Sequence, residues 1–175
     1  MKSRDIAIVG ILLAVGAILR YFLAMLHTPL TPNMVIAFYC LAIILIQPKV
    51  YEALGIGIVA GILSMLISSS IFPPANLISE PLGALVCVAL YAALKNSTKL
   101  APTIATFLTT LASGFSFAAV AIIFVGATIL TKYGGNMMNF VLVFVPIVVI
   151  TAIFNAVIVQ ILYFPASRVL MRGQE

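Results

Sequence analysis

Residues 2–26 read KSRDIAIVGILLAVGAILRYFLAML, and the interpretation of this stretch decides the fold. Two basic residues, Lys2 and Arg4, precede an apolar run over 6–26 that carries a single charge, Arg20. About 20 such residues match the length at which an α-helix crosses the ~30 Å hydrocarbon core of a bilayer. A secretory signal would have a shorter apolar region. Five further apolar runs follow, at 34–47, 53–71, 81–94, 102–130 and 138–163, so the first is read as a retained helix. Charged residues make up 7% of the chain and apolar ones 64%, too little charge to solvate the exterior of a soluble domain. Helices satisfy their own backbone in lipid, so the expected fold is an all-α membrane protein. The reading is one domain over 1–175, a bundle of six transmembrane helices.

Basic residues set the expected orientation. With six crossings, Lys2, Arg4, Lys49, Lys95, Lys99, Arg168 and Arg172 share one side, and Lys132 alone faces the other. Cytoplasmic loops carry the Lys/Arg excess, so both termini are expected in the cytoplasm. The net charge of +5 is then a set of anchors for anionic lipid or a partner, and nucleic acid is not an expected partner. Cys40 and Cys87 fall inside predicted spans, where they act as small buried hydrophobes and no disulfide is expected.

The spans are unequal. Thr31-Pro32 reads as a helix start, with Thr as cap and Pro in the first turn. The second span then has about 15 residues, or ~22 Å, which falls short of the core. The fourth, opening at Pro81, is also short, whereas the fifth and sixth have length to tilt, with a kink expected at Pro146. Short helices beside long ones leave space near one surface. Between the third and fourth runs, residues 68–81 contain Ile71, Phe72, Leu77 and Ile78, so the segment either dips back into the bundle or is an ordinary tight hairpin joint. No inverted repeat is evident, which argues against a self-sufficient alternating-access carrier.

Charge at depth is costly and marks function. Arg20 lies about fourteen residues, ~21 Å, beyond the inner edge of its span, and Glu80 opens the fourth span at comparable depth. Three roles stay open for Arg20: a pair with Glu80, a contact with one end of a zwitterionic ligand, or snorkelling to headgroups. Asn33, Asn76, Asn136 and Asn139 gather at the same outer mouth, as turn formers and caps or as pocket groups. Tyr21, Phe22, Phe38, Tyr39 and Phe72 accompany them, as interfacial or core aromatics or as candidate aromatic walls. Arg20, Asn33, Asn76, Glu80 and Asn139 are the candidate substrate-binding residues. His27 reads as a solvated loop residue. On the first span, Ala7, Gly10, Ala14 and Ala17 form a stripe of small residues, suited to packing within the bundle or to docking a partner.

Catalytic and metal motifs are absent from the sequence, as is a nucleotide-binding loop, so no enzyme activity, cofactor or metal is expected. A transporter of this kind would borrow an ATPase. Three stretches carry a family resemblance: Pro32-Asn33, Gly55-Ile56-Gly57-Ile58-Val59-Ala60-Gly61-Ile62-Leu63-Ser64, and Asn76-Leu77-Ile78-Ser79-Glu80-Pro81. With the six spans and the smooth first helix, they resemble the substrate-binding S components of energy-coupling factor (ECF) transporters, nearest to the tryptophan-type group. That group tends to have Asp after the first Pro and an Asn-Ile-Ile-Asp-Lys-Pro run. Here Asn33 and Ser79 stand for acids and Glu80 for a base. The resemblance implies a multi-pass protein of a prokaryotic cell membrane that captures a small nutrient in an outer pocket. Tryptophan, another aromatic or zwitterionic compound, or a vitamin is the implied ligand. It further implies docking through Ala7, Gly10, Ala14 and Ala17 to a transmembrane coupling subunit that carries two ATPases, which alone use ATP. The alternatives are a non-transport assembly factor and a small integral-membrane enzyme.

Overall fold

A computed structural model describes residues 1–25 and 33–172, with the side chains of 170–172 excepted. His27 and the Thr31-Pro32 start lie outside the described residues. Among those described, each apolar run is a helix: α1 (Ser3–Met25), α2 (Met34–Ile46), α3 (Val50–Ile67), α4 (Asn76–Leu94), α5 (Ala101–Lys132) and α6 (Met137–Arg172). The amine of Met1 pairs with Glu52 at the start of α3, and Lys95 Nζ donates to Gln47 Oε1 at 2.5 Å. These contacts gather the chain start, the α2–α3 joint and the α4–α5 joint at one end, the basic end. The α3–α4 and α5–α6 connections lie at the other.

The sequence of α2, MVIAFYCLAIILI, has no polar face, and a helix apolar all round belongs in a core. It touches all five other helices, and every residue from Met34 to Ile44 is buried. Small residues of the neighbours, among them Ala53, Ala60, Ala84 and Ala105, close around it. At 13 residues α2 spans only ~20 Å, so the expected shortfall holds. Its cap is Asn33, whose peptide oxygen accepts from Asn155 Nδ2 at 3.1 Å. Asn155 is eighteen residues into α6, so α6 continues ~27 Å past the start of α2. The space above the end of α2, walled by the longer helices, becomes a cavity.

Three expectations need correction. The fourth helix is not short: a 3-10 turn at Pro73–Ala75 leads into α4 at Asn76, and Pro81 lies inside the helix. Proline so near a helix start deprives only the Leu77 carbonyl of a partner, and Asn76 Nδ2 secures the turn on Pro73 O at 2.7 Å. The α6 helix runs to Arg172 rather than 163, through Pro146 and Pro165. Separately, α5 carries non-helical dihedrals at Val125 (φ −132°, ψ 27°), beside Gly126. Of the segment expected to dip inward, Ile71 and Phe72 pack on the cluster around Ala118, Ala121 and Phe140. Leu77 and Ile78 face outward.

Close approach of α3 and α4 depends on two glycines one turn apart. A methyl on Gly57 would meet Pro81 Cα at 2.6 Å, and one on Gly61 would meet the Asn76 carbonyl at 2.8 Å. Small residues at this spacing let helix backbones nearly touch in lipid. The contact fixes the first turns of α4, which carry Asn76, Ser79 and Glu80. Cys40 and Cys87 are buried free thiols.

Candidate functional site

Glu80 sits on the second turn of α4 and is buried to 1% exposure. Its two oxygens each accept one bond: Asn33 Nδ2 donates to Oε1 at 2.6 Å and Ser113 Oγ of α5 to Oε2 at 3.1 Å. A carboxylate offers about four lone pairs, so accepting capacity remains. Asn33 is itself held by Asn155, whose Nδ2 also reaches Thr110 Oγ1 at 3.3 Å. The cap of α2, the start of α4 and the middles of α5 and α6 are thus tied through one polar cluster.

Arg20 enters from α1. It lies within electrostatic reach of Glu80, but no ion pair within 4.0 Å joins them. Its Nη1 is buried without a hydrogen-bond partner, as are Asn33 Oδ1 and Ser79 Oγ. Each unsatisfied buried polar atom costs about 1–3 kcal/mol. All of these groups line one cavity of about 350 Å³, which is within the range of small-molecule sites. Its other wall is aromatic, formed by Phe117, Tyr133, Phe140 and Phe144. Phe140 and Phe144 stack at 5.2 Å and Tyr133 meets Phe140 edge-on at 5.3 Å. Lys132 stands exposed at the lip. Charged donor, charged acceptor and aromatic wall together suit a flat aromatic compound that bears both an ammonium and a carboxylate.

The structure brings Arg20, Asn33, Asn76 and Glu80 to this cavity. Asn139 stays outside the lining: it is exposed, and its Nδ2 donates to Tyr133 O at 3.1 Å, closing the α5–α6 turn. The expected aromatics are elsewhere. Tyr21 and Phe22 face outward, Phe38 and Tyr39 are packed in the α2 core, and Phe72 stacks on Phe124 at 5.7 Å. Sequence reasoning missed Phe117, Phe140 and Phe144; the i, i+4 spacing of the last two was the one available signal. The small-residue stripe does not pack inside the bundle. Ala7, Gly10 and Ala14 are exposed, Ala17 is half-buried, and nothing lies within 4 Å of where a Gly10 side chain would begin. No group of three metal-ligating side chains occurs among the described residues. A second cavity, about 390 Å³, lies at the basic end and shares none of these residues.

Comparison with known proteins supplies the remaining information. The sequence profile of the family described as "Tryptophan transporter TrpP" matches residues 2–172. A probable tryptophan transport protein of Bacillus subtilis (strain 168) is 29% identical over 177 residues, covering 99% of this chain and 96% of that protein. No solved structure matches the chain.

Proposed function

On the premise that this multi-pass membrane protein belongs to the tryptophan transporter family TrpP, among the S components of ECF transporters, we propose that its cavity captures L-tryptophan. The single observation that carries the reading is Arg20 Nη1, buried and unpaired, in one cavity with the Glu80 carboxylate. A zwitterion bridges that gap: its carboxylate takes the guanidinium, while Glu80, Asn33 Oδ1 and Ser79 Oγ accept from its ammonium. The indole lies against Phe117, Phe140 and Phe144. Bound ligand then satisfies buried atoms that are otherwise orphaned.

Delivery requires energy from outside the chain. The exposed stripe of Ala7, Gly10 and Ala14, with Ala17 beside it, supports docking of α1 to a transmembrane coupling subunit that carries two ATPases. In this arrangement the chain binds the nutrient and the partners use ATP.

The protein has no tryptophan, so ligand indole fluorescence is read without protein background. Saturable binding of L-tryptophan is expected, with tryptamine, which lacks the carboxylate, and indole-3-propionate, which lacks the ammonium, both much weaker. Arg20→Ala should weaken L-tryptophan roughly tenfold to a hundredfold and leave tryptamine nearly unchanged. Equal losses for both ligands would remove Arg20 from the carboxylate role.

A further inference from the structure

We propose that the cavity of about 390 Å³ at the basic end is a binding site for a phosphate group, presented by an anionic lipid headgroup. It opens where α4 meets α5, and Lys95, Ser97, Thr98 and Lys99 line it, with Tyr91 and Tyr163 also in its wall. Two lysines and two hydroxyl-bearing residues therefore line one concavity, and their side chains carry donors that match phosphate oxygens.

Among the described residues no carboxylate compensates the charge there. Of the acids among the described residues, Asp5, Glu52 and Glu80, none lines this cavity. Among the described residues, neither lysine pairs with a carboxylate. Lys95 spends one of its three N–H groups on Gln47 Oε1, which positions the ammonium and leaves two donors. Lys99 lines the same cavity with no such tether. Bringing the two cations into one cavity costs mutual repulsion, which an anion between them relieves.

A lipid suits the site better than a free anion because apolar surface adjoins it. Leu100, between lining residues Lys99 and Ala101, is 53% exposed, and Phe164 of the wall is 50% exposed. A headgroup phosphate on the lysines would place its acyl chains along such side chains. Basic pockets between membrane helices at the cytoplasmic surface are suited to anionic headgroups, and the Lys/Arg excess assigns this end to that side. The site is independent of the tryptophan cavity, with which it shares no residue.

Native mass spectrometry of the detergent-solubilised protein, titrated with phosphatidylglycerol or phosphatidylcholine, tests the proposal. Discrete phosphatidylglycerol adducts are expected, with phosphatidylcholine much weaker. Lys99→Gln, which keeps the Lys95–Gln47 bond, should reduce adduct affinity about fivefold, and Lys95→Gln/Lys99→Gln roughly thirtyfold. Lys49→Gln, at the same end but outside the cavity, should change nothing. Equal losses in Lys49→Gln, or equal binding of both lipids, would overturn the site. A thermal-shift arm with inorganic phosphate separates the sources. Stabilisation that depends on Lys99, with no preference for phosphatidylglycerol, would overturn the lipid assignment in favour of a soluble phosphate.

Discussion

Asn33 and Glu80 are a pair in which at most one member can carry a negative charge. At 2.6 Å an amide donates to the carboxylate, whereas two carboxylates at that distance cannot both ionise. The tryptophan-type pattern has acids near positions 33 and 79 and a base at 80; here the acid stands at 80 and an amide faces it. An exchange of partners across one contact explains the substitutions better than loss of the site. Asn33→Asp and Glu80→Lys should each lower the melting temperature and weaken tryptophan binding, while the double variant Asn33→Asp/Glu80→Lys should recover part of the stability. The recovery expected of contacting charges is about 0.5–3 kcal/mol in a double-mutant cycle. Additive losses would show that the two side chains do not act as a pair. At this scale the sequence was informative where a residue broke the pattern of its surroundings, as Arg20 and Glu80 do in apolar runs. It was silent on Phe117, Phe140 and Phe144, because an aromatic in an apolar helix looks the same whether it meets lipid, core or cavity.

Two glycine-containing faces that look alike in sequence behave differently as parts of helices. Gly57 and Gly61 face the backbone of α4 with no room for a side chain, whereas Gly10 on α1 faces open space. Gly57→Val should force α3 from α4, cost on the order of 1–3 kcal/mol, and weaken tryptophan binding by displacing Glu80 and Ser79. A circular-dichroism melt and a fluorescence titration of the same sample read both effects. Gly10→Leu/Ala14→Leu should leave the melt and the titration unchanged and abolish uptake in cells; binding lost in detergent would contradict a docking role. The spans of α1, α2, α3 and α5 were legible to within a few residues from hydropathy alone. The start of α4 was not, because a proline marks helix starts, whereas Pro81 lies in the second turn of α4. Val125 in α5 carries non-helical dihedrals that no proline announces in the sequence.

For the whole molecule, the distribution of basic residues predicts which end faces the cytoplasm. In a variant lacking Cys40 and Cys87, a cysteine at Asn136 should react with a membrane-impermeant maleimide applied to intact cells, and one at Ser97 should not. The reverse pattern would invert the topology and place the cavity between Arg20 and Glu80 on the wrong side for the proposed capture. In the unaltered protein Cys40 and Cys87, both buried, should stay unlabelled. The sequence by itself determined that this chain is a six-helix membrane bundle with a basic end and costly charges at Arg20 and Glu80. Those conclusions follow from hydropathy and charge, which act on each segment separately. Only the tertiary structure decided that α2 is the buried axis, that its short length leaves a cavity, and that Arg20 and Glu80 share it without pairing. Such facts depend on which faces of different helices meet, and side-chain packing between segments distant in sequence sets that.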